Sequence, residues 1–291
     1  MRTRLDSLQA ETALYAKDLR TGRELAVRAD EPVNTVSVIK LAIMVRAYRD
    51  FEVGRLPLDE RHTLRPEEMR AGSGVLQTFA PGLSPTYRDL VAQMIITSDN
   101  TATDVLIGKV GLRRVNELLD SLGYRETRLR MTIGELFRGV WAQFDPQYAR
   151  LTDREVFERG FPSDSAAPQR YLAYVRDSTR WLGRTTAREI GRLLEQLELG
   201  QLASRASTAE MRMVLLSQFY TSRLPQRVGS RVAVGHKTGD WEPLIGNDVG
   251  VIYAARGPIV IAAFTNANRG PFWQLEATLG RVAEDVLNAW E

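Results

Sequence analysis

The chain has no cysteine, two histidines and only four lysines in 291 residues. Without cysteine, disulfides and thiolate chemistry are excluded, and the redox compartment leaves no mark. With His62 and His236 alone, a histidine-rich metal site is impossible, and a Ser-His-Asp triad would have two candidates for its base. No stretch approaches the roughly 18 consecutive apolar residues of a membrane span. No dense basic run carries interleaved aromatics, so nucleic acid is not an expected partner. The opening "MRTRLDSLQAE" has no apolar core, so no leader is expected in the chain as it stands; a leader removed beforehand is left open.

What is present is a soluble, globular composition, 44% hydrophobic and 26% charged, long enough for one large or two smaller units. The basic residues are almost all arginine. Arginine stays charged at any useful pH, whereas a buried lysine can lose its proton and serve as a base. The four lysines therefore mark positions where a titratable or compact amine is useful.

Strands are expected at both ends of the chain. "ETALYAKDLRTGRELAVRAD" (11–30) reads as a hairpin turning at "RTG". "RVAVGHKTG" (231–239) and "NDVGVIYAARGPIVIAAFTN" (247–266) read as three strands, and 272–290 as a closing helix. Between them the periodicity is helical. A helix is expected over 34–54, with Asn34 or Thr35 as its cap and Gly54 as its stop. Further helices are expected over 84–100, 101–111, 111–123, 185–200 and 207–219. Residues 130–183 read as a long excursion with one or two short helices, broken at "DPQY" and "FPSDSAAPQ". The fold expected is α/β (α+β): an antiparallel sheet from both termini covered by helices, with an all-α domain. The domains would be 1–50 with 220–291, and 51–219, leaving a cleft between them where ligand sites are common.

Three short motifs carry chemistry. In "SVIK" (37–40), Ser37 and Lys40 lie on one helix face, beside the free N–H groups of the first turn. A neutral Lys40 would take the Ser37 proton, activating the hydroxyl for attack. In "SDN" (98–100), Ser98 would relay a proton to a leaving group and Asn100 would hold a substrate amide. In "KTG" (237–239), Lys237 supplies charge, Thr238 bonds a carboxylate, and Gly239 lets substrate approach the strand edge. The backbone N–H groups of Ser37 and Asp240 would form an oxyanion hole. Each motif alone has a plain reading: a helix-start serine, a turn, a solvated strand end. At this composition they are expected about 0.2, 0.02 and 0.02 times, so all three together arise by chance on the order of 10⁻⁴.

The set, in this order and context, resembles the class A β-lactamase and penicillin-binding-protein superfamily of serine acyl-transferases. The resemblance runs from "YAKDLRTGRELAVRADEPVNTVSVIK" through "GLSPTYRDLVAQMIITSDNTATDVLI" to "GHKTG". It implies that family's fold, an acyl-serine intermediate on Ser37, a β-lactam or peptidoglycan-type (D-Ala-D-Ala) substrate, and neither metal nor cofactor. It also implies a monomer in the periplasm or outside the cell, with a cytoplasmic location left open.

Two departures qualify it. Class A enzymes carry Glu-x-x-Leu-Asn in a loop whose glutamate activates the deacylating water. The matching region here is "TRLRMTIGELFRG" (127–139), where Ile133 holds the glutamate position if "TRL" is the anchor. Glu135 lies two residues later without the Leu-Asn pair, and Glu155 and Glu158 lie in the excursion. Without such a base, acylation would proceed and deacylation would be slow. Asp240, directly after "KTG", would repel a substrate carboxylate. The expectation is a slow-turnover acyl-enzyme; the alternatives are a β-lactamase using Glu135 or another loop carboxylate, and an inactive binding module.

Overall fold

The computed structural model describes residues 1–80, 82–162 and 167–291, and of 167–169 the backbone alone. Among the described residues eight strands run in order: β1 (Glu11–Asp18), β2 (Glu24–Val27), β3 (Val33–Asn34), β4 (Arg128–Leu129), β5 (Gly183–Thr185), β6 (Val234–Trp241), β7 (Ile245–Ala254) and β8 (Gly257–Asn266). The helices before the excursion are α1 (Arg2–Asp6), α2 (Lys40–Glu52), α3 (Tyr87–Ile96), α4 (Asn100–Val110) and α5 (Leu112–Ser121). Within and after it come α6 (Ile133–Trp141), α7 (Asp153–Arg159), α8 (Ala167–Arg176), α9 (Ala187–Glu198), α10 (Arg205–Leu216), α11 (Pro225–Val228) and α12 (Phe272–Trp290).

The main sheet has the order β2-β1-β8-β7-β6, every pair antiparallel. Its strands carry few exposed residues because both faces are covered. Successive side chains alternate between faces. Leu14, Ala16, Ile259 and Ile261 join the core beneath α12, with its Leu275, Leu279, Val282 and Val286. Ala13, Tyr15, Val260 and Ala262 join the opposite core, with Ile190, Leu193 and Leu194 of α9. Thus α9 and α10, which the sequence places in the helical unit, pack on the sheet, α9 against β1 and β8 and α10 against β6. At Gly191 a Cβ would run into the Tyr15 ring, so the close approach of α9 depends on glycine.

The helical unit is built around α2, which contacts α3, α4 and α5. Leu41, Ala42, Ile43, Met44 and Val45 are all buried, the pattern of a helix enclosed on every side. No helix among the described residues is long and apolar enough to cross a membrane.

Three local expectations are corrected. The segment read as a helix from residue 34 begins with β3 and a 3₁₀ turn, Val36–Ile39, before α2 starts at Lys40. Neither Asn34 nor Thr35 caps that turn; Asn34 Oδ1 instead accepts from Val36 N at 3.0 Å. The Lys-Thr-Gly motif does not end its strand: β6 continues to Trp241, so Lys237 and Thr238 are interior and buried. The 130–183 excursion holds more order than its composition suggests, with α6, α7, α8 and two 3₁₀ turns. Thr132 and Thr152 each start a helix through a reciprocal capping box, with Glu135 and Glu155. Part of the expected break at "FPSDSAAPQ", residues 163–166, lies outside the described residues.

Candidate active site

The turn carrying Ser37 is held in an unusual backbone conformation. Val36, a β-branched residue, has φ +38°, in the left-handed region that costs energy without glycine. Three buried asparagines secure it. Asn266 Oδ1 accepts from Asn34 N at 2.8 Å, and Asn34 Oδ1 accepts from Val36 N. Asn247 Nδ2 donates to Asn34 O at 2.9 Å, while Asn247 Oδ1 accepts from Thr265 N and Asn266 Nδ2. Asn247, a polar amide inside a Val/Ile-rich strand, is itself a signal in the sequence, since asparagine is depleted from strands. Gly239 completes the packing. A Cβ there would lie 2.6 Å from Thr35 O and 3.0 Å from Val36 Cγ2, so its open side is filled by the Ser37 turn rather than left for substrate.

A cavity of about 890 Å³ opens beside this turn, lined by Ser37, Ser98, Asn100, Arg223 and Asp240 among others. Ser37 is partly exposed there, and its Oγ has no protein hydrogen-bond partner among the described residues. The Lys40 backbone N–H donates to Ser37 O, which fixes the two residues one turn apart. Lys40 is wholly buried. Its Nζ donates to Ser98 O at 2.7 Å and Asn100 Oδ1 at 2.9 Å, and lies 3.3 Å from Ser98 Oγ. Lys237, equally buried, donates to Ser98 Oγ at 2.9 Å and Thr238 O at 2.8 Å. Ser98, itself at φ +55°, is therefore bonded between the two amines.

Burial, and then the neighbouring Lys237, hold the Lys40 amine well below the usual lysine range. Burial likewise pulls Lys237 down to about 7, opposed by Asp240 and Asp248. Between about pH 7 and the ordinary lysine value near 10.5, the unfolded chain binds a proton at Lys237 that the folded chain lacks. Stability contributed by this group therefore rises with pH across that window and is lowest below it. Urea denaturation of wild type and Lys237→Met should show wild type gaining on the variant from pH 7.5 to 9.5, by up to about 1.4 kcal/mol per pH unit.

Asn100 is firmly placed: its Nδ2 donates to Ala71 O at 2.9 Å, and its N–H donates to Ser73 O at 3.0 Å. The amide keeps a second hydrogen for a substrate carbonyl. Ser73 Oγ donates to Ser98 O at 2.7 Å, a role the sequence reading missed. Its signal was "GSG": a Cβ at Gly72 or Gly74 would strike Asn100 or Asp99. Asp99, the middle residue of Ser-Asp-Asn, caps α4 through Ala102 N and also accepts from Leu76 N. Thr238 Oγ1 is buried without a partner among the described residues, as a donor awaiting an acceptor would be.

The remaining candidates lie elsewhere. Glu135 is exposed, and its carboxylate accepts from Thr132 N at 2.8 Å; the residue is not among those lining the cavity. Glu155 is engaged in the same way with Thr152, and Glu158 pairs with Arg154. Ile133 does line the cavity, held by Asp104, whose carboxylate accepts from Ile133 N at 2.7 Å and Gly134 N at 2.9 Å. Asp240 forms an ion pair with Arg223, a buried arginine on the cavity wall that no sequence pattern singled out.

Known proteins resemble the chain in sequence and in fold. Beta-lactamase L2 of Stenotrophomonas maltophilia is 26% identical over 279 residues, covering 93% of this chain and 79% of that protein. A β-lactamase from Sphaerobacter thermophilus has a similar structure, with a TM-score of 0.76, 26% identity, and coverage of 96% of this chain and 91% of that one. A leucine-to-glutamate variant of PBP-A, as an acyl-enzyme complex with penicillin G, shares the fold at a TM-score of 0.77 and 21% identity, covering 99% and 93%. The model of the β-lactamase enzyme family matches from residue 2 to residue 290, and the chain belongs to that family.

Proposed function

We propose that the protein is a serine acyl-enzyme that reacts with β-lactams or D-Ala-D-Ala-type peptides and releases the acyl group slowly. Ser37 Oγ attacks the carbonyl, and its proton passes to the lone pair of Lys40. Two of the amine's hydrogens are already committed to Ser98 O and Asn100 Oδ1, which aims the lone pair away from both. Resting-state distances to a nucleophile commonly shorten when substrate binds. The backbone N–H groups of Ser37 and Asp240 receive the developing oxyanion. As the C–N bond breaks, Ser98 hands a proton to the leaving nitrogen and is resupplied from the lysines on either side. Asn100 holds the acyl-side amide, Lys237 acts on the site through Ser98, and Thr238 offers its unpartnered Oγ1 to the far end of the substrate.

One observation supports the slow-release half of this reading: Ile133, an apolar side chain at the position that the resemblance gives to the family's glutamate, lines the cavity. The three glutamates of the excursion, Glu135, Glu155 and Glu158, are engaged at the exposed surface. None of these three would then serve as general base for water attacking the acyl-enzyme, a help worth about 10²–10⁴ in rate. The leucine-to-glutamate PBP-A variant, solved as an acyl-enzyme with penicillin G, is a relative in fold that supports an acyl-serine route here. A periplasmic or secreted setting fits a peptidoglycan-type substrate. With nitrocefin in excess, colour should rise in a burst equal to the enzyme concentration and then creep. Sustained rapid turnover would point instead to an efficient β-lactamase, and no burst to a binding module.

A further inference from the structure

The cavity has two chemically distinct ends. One is aromatic: Phe137, Trp141, Phe161, Tyr171 and Trp241 line it, with Phe161 stacked on Tyr171 at 5.7 Å between ring centroids. The other is acidic. Asp240, Glu242 and Glu276 line it, against one guanidinium, that of Arg223. That guanidinium is buried, and its Nη1 is already paired with the Asp240 carboxylate. Glu276 accepts from Ser222 Oγ, and Glu242 is exposed at the mouth. The two lysines of the site, Lys237 and Lys40, are fully buried behind Ser98, and neither lines the cavity.

An anion arriving here would meet an arginine whose Nη1 is already paired with a neighbouring carboxylate, its Nε being buried without a partner among the described residues. It would also stand beside two more carboxylates, and like charges placed together at an interface repel. A neutral group avoids that repulsion, and a cation is attracted instead. Asp240 itself fills the role that a substrate carboxylate would otherwise take. We infer that Asp240 is a specificity-determining residue that turns this cleft toward acyl donors lacking a carboxylate: neutral or amine-bearing esters and amides of aromatic or aliphatic acids. The aromatic end takes the apolar portion, and the acidic end takes the uncharged or cationic portion. This inference rests on the acyl-serine reading.

Three probes that share one ring system and differ only at its carboxyl group, which is anionic, neutral or cationic in turn, separate the possibilities: penicillin G, its methyl ester and its diethylaminoethyl ester. Each reacts by forming the Ser37 Oγ–C bond and breaking the lactam C–N bond, with the serine proton ending on the ring nitrogen. The adduct therefore has the full mass of the probe. Second-order acylation rates are read by intact-mass spectrometry. In wild type the two esters should acylate at least about tenfold faster than the free acid, with the cationic ester fastest at low salt. In Asp240→Asn the ratio of free acid to methyl ester should rise by at least about tenfold, the factor given by 1.4 kcal/mol. A free acid that outpaces both esters in wild type would overturn the inference even if the variant failed to fold, as would an unchanged ratio in a folded variant. Absence of any adduct with all three probes would instead overturn the acyl-serine reading beneath it.

Discussion

Replacing Lys40 with methionine should slow acylation of Ser37 by about 10²–10⁴, the range lost with a general base. The amine is buried without an opposite charge bonded to it, and its proton affinity is depressed by that burial and by Lys237. Methionine keeps the volume of the stem and adds no charge to desolvate. Ser98 O retains Ser73 Oγ as a donor at 2.7 Å, so the turn keeps one of its supports. The variant should therefore fold, with a circular dichroism spectrum and melting transition close to those of wild type. Rapid-quench mass spectrometry with a fixed probe gives the rate. A loss smaller than tenfold in a folded variant would mean that the proton leaves Ser37 by another path, with Ser98 and Lys237 the nearest alternative.

The second large effect is a gain. Ile133→Glu should accelerate deacylation by about 10²–10⁴ while leaving acylation within a few-fold of wild type. Ile133 is the first residue of α6, and its backbone is pinned by Asp104, so the new side chain would start from a fixed point on the cleft wall. A carboxylate in the first turn of a helix is also favoured by the helix dipole, by about 0.3–1 kcal/mol. The nitrocefin burst should give way to steady turnover. If the variant acylates normally but still holds its acyl group as long as wild type, the missing carboxylate is not what makes release slow.

Much of this was legible in the sequence, for identifiable reasons. The sheet strands announced themselves because Val, Ile and Tyr runs ended in glycine-bearing turns, and 272–290 because its apolar positions repeat at helical spacing along α12. Ser37, Lys40, Ser98, Asn100, Lys237 and Thr238 could be singled out as candidates because three short motifs fix spacing within themselves. What brings the motifs together was hidden. The asparagine clamp joins residues 34, 247 and 266, whose distance along the chain leaves no local pattern. The Arg223–Asp240 pair is likewise non-local, so Asp240 was read as a repulsive group while its partner went unnoticed. Glu135 was an attractive candidate because it stood near the right place in the chain. The sequence "TIGE" is also a capping box, and local hydrogen bonding to Thr132 is how its carboxylate is used. The 130–183 excursion was under-read because tertiary contacts, such as the bonds of Asp153 to Arg70 and Arg138, stabilise helices too short to stand alone.

The most direct test is peptide mapping after a single equivalent of penicillin G methyl ester. The account predicts one adduct per chain, confined to the peptide containing Ser37, persisting long after the free probe is removed, and absent from Ser37→Ala. An adduct on any other residue, or consumption of the probe with no adduct ever accumulating, would contradict it.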